Sequence, residues 1–129
     1  MSYSVDKSDE QWRAELSAEE FAVLRQAATE RPWTGELLDE KRAGLYTCKA
    51  CGNELFKAGT KFDSGCGWPS FDDQIAKNVE HVLDTDGRRT EIVCANCKGH
   101  LGHVFFGERF TEKDTRHCVN SISMKFIKD

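Results

Sequence analysis

Nothing in this chain of 129 residues approaches the run of about 20 apolar residues that spans a bilayer. The opening stretch MSYSVDKSDEQWRAEL lacks the apolar centre of a secretory leader. Both absences predict a cytoplasmic protein that works away from the membrane. Basic charge is also scarce. There are 18 Lys and Arg against 22 Asp and Glu, a net charge of −4, with no dense basic block. A surface that neutralises phosphates is therefore not expected, and nucleic acid is excluded as a partner. There is no low-complexity tract, and no linker divides the chain, so residues 1–129 read as a single domain. A domain of this size buries about two thirds of its unfolded surface. With 39% hydrophobic and 31% charged residues, the composition is that of an ordinary globular protein.

Two regions differ in pattern. From about residue 8 to 31 the chain predicts helix. Ser8 with Gln11 and Ser17 with Glu20 form two capping boxes, in which each hydroxyl accepts the N3 amide and the N3 side chain reaches back. Phe21, Leu24 and Ala28 share one helical face, Trp12 and Leu16 give a shorter preceding helix its buried side, and Pro32 is the expected stop. These helices are read as peripheral scaffold. From about 45 to 127 short β-type runs alternate with Gly, Asp and Asn clusters. VEHVLDTDGRRTEIVC predicts a hairpin turning at Asp84–Gly87, and GHVFFGERF and CVNSISMKFI read as further strands. The expected fold is mainly β with helices at its edge.

Six cysteines in such a chain need a chemical reason. A disulfide scaffold is disfavoured in a reducing cytosol, where metal binding or catalysis is the usual cause. CKAC (Cys48, Cys51) and CANC (Cys94, Cys97) are two C-x-x-C pairs, with Gly52 directly after the first and Gly99 one residue beyond the second. Such a pair aims both sulfurs at one point, and a glycine beyond it permits a left-handed turn. Four thiolates make the closed tetrahedral shell of one structural Zn²⁺. A redox C-x-x-C prefers a strand-to-helix junction in a βαβ setting, which this sequence does not contain. A catalytic zinc would need an open position, which four thiolates do not leave.

Two cysteines remain. Cys66 lies in KFDSGCGWPSF between two glycines, a composition that predicts an accessible and mobile loop. Cys118 lies in TRHCVNSIS, where alternation places Asn120, Ile122, Met124 and Phe126 on its face. Both could be inert buried thiols. Against that, Arg116 offers a nearby cation that favours the thiolate, and Asn120 a neutral donor. His100 and His103 read either as satisfied structural residues or as a pair able to donate protons near neutral pH. Trp68 reads as loop packing or as a platform for a ligand. His81 is taken as structural, and Asp72, Asp73, Arg88 and Arg89 as turn and solvent residues.

CKACGNELF, KFDSGCGWPSF, CANCKGHLGHVF and RHCVNSISMKF, in this order, resemble the B-type methionine sulfoxide reductases over about Leu45 to Phe126. That resemblance implies two antiparallel sheets in an open, barrel-like arrangement and reduction of the R epimer of peptide-bound methionine sulfoxide. It implies Cys118 as nucleophile and Cys66 as the resolving cysteine that forms a disulfide with it. Cys48, Cys51, Cys94 and Cys97 become the zinc ligands. His100, His103 and Asn120 would assist protonation and hold the substrate oxygen, Trp68 would pack on the substrate methyl, and Arg116 would support the thiolate. Thioredoxin is the implied reductant, with no directly bound flavin or nicotinamide. Position 117 is His where the family often carries Tyr or another aromatic ring. Two other readings stand beside this one: a zinc-ribbon interaction module, and a redox sensor that ejects zinc or switches through Cys66 and Cys118.

Overall fold

Both capping boxes form. Ser17 Oγ accepts from Glu20 N at 3.1 Å while Ser17 N donates to Glu20 Oε1 at 2.9 Å, and Ser8 and Gln11 repeat the arrangement. They start α1 (Asp9–Glu15) and α2 (Ala18–Gln26) in a computed structural model that describes residues 4–85 and 87–129. The second helix ends well before Pro32. Ala27 adopts a left-handed conformation at φ 57°, and the amide of Ala28 closes back onto the carbonyl of Ala22 at 2.9 Å. Alanine thus takes the left-handed position that glycine usually fills at a helix end. Ala28 consequently lies beyond the helix, and the buried face is Phe21, Val23 and Leu24.

The β-body has nine strands: β1 (Gly44–Cys48), β2 (Glu54–Lys57), β3 (Lys61–Phe62), β4 (Ser70–Phe71), β5 (Val79–Leu83), β6 (Thr90–Cys94), β7 (His100–Phe106), β8 (Thr115–Val119) and β9 (Met124–Lys128). They form two antiparallel sheets, ordered β2-β1-β9 and β3-β4-β8-β7-β6-β5, and no barrel closes among the described residues. The β5–β6 turn was expected at Asp84–Gly87; Asp86 lies outside the described residues, and the turn's base is closed by Asp84 N on Arg89 O at 2.8 Å.

CVNSISMKFI is not one strand. After β8 the chain passes through a 3-10 turn, Ser121–Ser123, and enters the other sheet as β9. The period of two is lost at this turn, so Cys118 does not share a continuous face with Met124 and Phe126. Aromatic contacts join the sheets at this crossing. Phe56 stacks on Phe71 at 4.4 Å between ring centroids, and Tyr46 meets Phe71 edge-on at 5.0 Å. All three rings are fully buried, and each contributes about 1.5–3 kcal/mol through burial. Met124 pairs with Cys48 across β1 and β9, and its side chain is 2% exposed.

Two backbone features set the position of the later chemistry. Residues three apart in a regular strand face opposite sides of a sheet. In β7 the register to β6 slips, with Ile92 opposite Gly102 but Val93 opposite His100. The bulge at Leu101 brings His100 round to the face of His103, and their ring centroids are 5.8 Å apart. Gly102 then packs against β8 so closely that an added Cβ would lie 1.9 Å from the carbonyl oxygen of Cys118. Gly102→Ala is expected to force β7 from β8 and to cost roughly 1–3 kcal/mol, read as a lower urea midpoint at unchanged m-value.

Candidate active site and metal clamp

Direct cross-strand neighbours share a face, and one such row runs over five strands: Val82 on β5, Glu91 on β6, His103 on β7, Cys118 on β8 and Ser70 on β4. Cys118, His100, His103 and Asn120 line a small cleft of about 120 Å³ together with Trp68 and Phe105. Larger depressions exist beside Trp33 and beneath Gly35, and no cysteine lines either.

Cys66 does not line the cleft. Its sulfur lies behind Cys118, with Sγ–Sγ 3.9 Å, and contacts Ser70 Oγ at 3.5 Å and the Trp68 carbonyl at 3.4 Å. The loop's glycines favour this placement. Gly67 sits at φ 93°, and a Cβ there would meet Pro32 at 2.7 Å. The mobile loop expected from the sequence is thus docked, and a bonded S–S of about 2.05 Å lies only about 2 Å of closure away.

The two thiols shift each other's acidity in opposite directions. The hydrogen bond from Cys118 is the main reason Cys66 is held down at about 4, while the same contact, then burial, pushes the Cys118 thiol up. Two thiols this close titrate as a pair, and their proton affinities belong to the pair rather than to either cysteine. Arg116 opposes the rise at Cys118. Its guanidinium is fixed on Glu108, Nε to Oε1 at 2.7 Å and Nη2 to Oε2 at 3.1 Å, and lies 4.5 Å from the Phe105 ring centre.

The remaining side chains are held by neighbours that the sequence did not single out. Trp68 Nε1 donates to the Glu30 carbonyl at 3.0 Å. Asn120 is buried; its Oδ1 accepts the Glu30 amide at 3.0 Å, and its Nδ2 donates to the Leu101 carbonyl at 3.0 Å, leaving the second amide hydrogen for the cleft. The Glu30 carboxylate caps the 3-10 turn by accepting from Ile122 N at 2.9 Å. His100 Nδ1 lies 2.6 Å from Glu91 Oε2, and His103 Nε2 lies 3.5 Å from Asp84 Oδ2. Arg89, read from sequence as a solvent residue, reaches that same Asp84 oxygen at 3.5 Å and borders the cleft. Burial, then Arg89, lowers the His103 pKa. Glu30, Glu91 and Asp84 lie far from Cys66 and Cys118 along the chain. Alternation across the β5–β6–β7 strands is the only sequence signal that could have found Glu91.

His117 faces away from Cys118. Its ring packs edge-on to Phe56, with Nδ1 3.0 Å from the Phe71 carbonyl and Nε2 3.3 Å from Gln74 Oε1. His81 Nε2 meets the same Gln74 oxygen at 2.9 Å. Asp73, also assigned to solvent, pairs with Lys113.

Four further thiols gather apart from the cleft. The sulfurs of Cys48, Cys51, Cys94 and Cys97 all lie within 4.8 Å of one another and could hold a metal ion. Cys48 and Cys97 approach to 3.7 Å, and Cys51 and Cys94 to 3.5 Å. The Gly99 amide points at Cys97 Sγ from 3.3 Å, and Asn53 Nδ2 at Cys94 Sγ from 3.5 Å. The first turn uses Gly52 at φ 81°, but in the second Lys98, at φ 63°, takes the left-handed position expected to depend on Gly99. Gly99 is instead small because Leu24 of α2 would lie 3.0 Å from its Cβ.

Two thiols in contact, one lining a cleft and one behind it, can give up two electrons as a pair, which is the chemistry of a thiol-dependent oxidoreductase. Residues 16–128 match the model of the SelR domain. The chain is 58% identical to the peptide methionine sulfoxide reductase MsrB of Leifsonia xyli subsp. xyli (strain CTCB07), over 96% of this chain and 91% of that protein. It is 57% identical to the chloroplastic peptide methionine sulfoxide reductase B2 of Arabidopsis thaliana, over 98% of this chain and 63% of that protein. In backbone shape it is similar to the solved Mis18 'Yippee-like' domain, with TM-score 0.51, 13% identity, and coverage of 68% of this chain and 98% of that one, a likeness of fold alone. The chain belongs to the SelR family, the peptide methionine sulfoxide reductases of type B.

Cys51→Ser is expected to release a bound metal ion, detected by metal analysis, and to lower the thermal midpoint by several degrees. His117 generates a pH prediction. Burial lowers its pKa in the folded state, so the unfolded chain binds more protons as the pH falls below about 6.5. Stability contributed by neutral His117 is present above that pH and is lost as the pH falls toward the depressed folded value. His117→Phe should therefore flatten the loss of unfolding free energy between about pH 7 and pH 5, by at most about 1.4 kcal/mol per pH unit.

Proposed function

We propose that this chain reduces the R epimer of methionine sulfoxide in proteins to methionine, with Cys118 as nucleophile and Cys66 as resolving thiol. One observation carries the reading: Cys118 lines the cleft, while the Cys66 sulfur stands 3.9 Å behind it. The substrate sulfoxide enters the cleft with its methyl group against Trp68. For attack, the Cys118 proton passes to Cys66, and the thiolate left on Cys118 is favoured by Arg116 against the opposing effects of Cys66 and burial. Cys118 Sγ attacks the sulfoxide, the oxygen passes to Cys118, and the methionine sulfur takes up two electrons. His103 or His100 supplies the proton that the departing oxygen needs, with Asn120 donating a hydrogen bond to it. Cys118 is left as a sulfenic acid. The Cys66 sulfur displaces the hydroxyl from Cys118, forming the disulfide and releasing water. A dithiol reductant of the thioredoxin kind returns both cysteines to thiols by exchange, itself becoming a disulfide.

The four-cysteine cluster is read as a structural zinc site. Tetrahedral zinc with Zn–S bonds near 2.3 Å has sulfurs about 3.8 Å apart, and the observed 3.5 and 3.7 Å contacts match that spacing. With four thiolate ligands the metal has no open position, so it supplies a clamp and takes no part in the reaction. A reducing cytoplasm suits six unbonded thiols. No helix among the described residues is long and apolar enough to cross a membrane.

Cys118→Ser is expected to abolish reduction of a racemic sulfoxide peptide even in a single turnover. Cys66→Ser should convert about one equivalent of the R epimer per enzyme and then stop with thioredoxin, as sulfenic acid with no partner accumulates. Normal thioredoxin-driven cycling by Cys66→Ser would remove Cys66 from the resolving role.

A further inference from the structure

The cleft has a histidine whose orientation is set by a side chain that does not line the cleft. We propose that Glu91 is a positioning residue for the reductase, accepting the Nδ1–H of His100 and so leaving Nε2 as the nitrogen that exchanges a proton with the substrate oxygen. This rests on the reading of Cys118 and His100 as parts of the reaction site.

Four observations carry it. The contact is short, Glu91 Oε2 to His100 Nδ1 at 2.6 Å. It is sheltered, because the His100 side chain is 6% exposed and that of Glu91 25%. A carboxylate oxygen can only accept, so the proton of this bond lies on Nδ1 and the free ring nitrogen is Nε2. Glutamate is also a poor strand former, and an ionised carboxylate taken from water needs a partner to offset its desolvation. Its place in β6 is accounted for by the imidazole it meets.

The backbone is arranged to allow this contact. Glu91 stands directly opposite His103, in the row that continues to Cys118. The bulge at Leu101 carries His100 onto the same face, within reach of the same glutamate. Without the bulge His100 would point to the other side of the sheet and Glu91 would meet only His103. The two histidines are instead held by different acids. Glu91 binds His100 at hydrogen-bond distance, while His103 has the more distant Asp84, which it shares with Arg89. A carboxylate that fixes the tautomer and orientation of a histidine without touching the substrate is a known device of acid–base sites.

The test uses the full-length, metal-loaded chain. In the wild type, ¹⁵N NMR of the imidazoles at neutral pH should show His100 protonated on Nδ1, as the neutral tautomer or as imidazolium. A neutral ring protonated on Nε2 overturns the proposal without need of any variant. Glu91→Ala should slow single-turnover reduction of a methionine-R-sulfoxide peptide by about 10-fold or more, with peptide affinity little changed. Glu91→Gln, whose amide oxygen still accepts the Nδ1 proton, should recover most of that loss. In a His100→Ala background Glu91→Ala should add nothing, since both changes remove one function. A wild-type rate for Glu91→Ala, or losses that multiply in the double variant, overturns the proposal. A wild-type rate for His100→Ala would instead count against His100 as a reaction-site residue, while the NMR result still decides whether Glu91 fixes the ring.

Discussion

The convergence of four sulfurs is the constraint on which the rest of the molecule depends. Cys48 ends β1 and Cys51 lies in the turn to β2, in the three-stranded sheet, while Cys94 ends β6 and Cys97 lies in the turn to β7, in the six-stranded one. The cluster thus brings together the corners of two sheets that share no strand. The joined sulfurs lie 49 and 43 residues apart along the chain. A metal ion held by all four would close loops of that span, and one such cross-link removes about 4 kcal/mol of loop entropy from the unfolded chain in the chain-entropy account. Its second corner is also where β7 begins. Arg25 of α2 donates to the Cys97 carbonyl at 2.8 Å, so the helices lock onto the same corner. Three residues beyond Cys97 lies His100, and the direction in which β7 leaves the clamp decides where the histidines fall.

The site is built from contacts that repeat one motif: a backbone carbonyl or carboxylate distant in the chain fixes a polar side chain of the cleft. Glu30 does this through its carbonyl to Trp68, and it also donates its amide to Asn120 and accepts the Ile122 amide of the turn after β8 with its carboxylate. The segment between α2 and β1 has no regular structure of its own. It is tied down by Lys61, whose ammonium donates to the carbonyls of Leu37, Leu38 and Glu40 at 2.6, 2.9 and 2.7 Å. What looks like connecting chain is the wall that holds the cleft in shape.

Features carried by neighbouring residues were legible in the sequence. The capping boxes of Ser8 and Ser17 and the paired cysteines are local patterns with local causes, and they form where the spacing puts them. The end of α2 was not legible, because Ala27 takes a conformation that alanine seldom adopts and Pro32 offers a more familiar stop. The break after β8 was hidden because the apolar alternation of CVNSISMKFI survives a turn that moves the chain to another sheet. His100 and His103 were seen as a pair, yet a period of two places them on opposite faces; the bulge that unites them depends on β6, which no local pattern reveals. The 3.9 Å approach of Cys66 to Cys118 follows from Ser70 pairing with Cys118, a long-range register. His117 could have been placed from alternation alone, one residue from Cys118 and therefore on the other side of the strand.

Met124 takes on another meaning beside this chemistry. The chain contains two methionines, and Met124 is sealed in the core beside the cysteine clamp, 2% exposed. Oxidation of a thioether makes an apolar side chain polar and disrupts the packing around it. A repair enzyme is needed most when oxidants are abundant, and an exposed methionine would make it a client of its own reaction. Burial in the β1–β9 pair keeps the Met124 sulfur out of reach, so the catalyst can outlast the conditions that create its substrate.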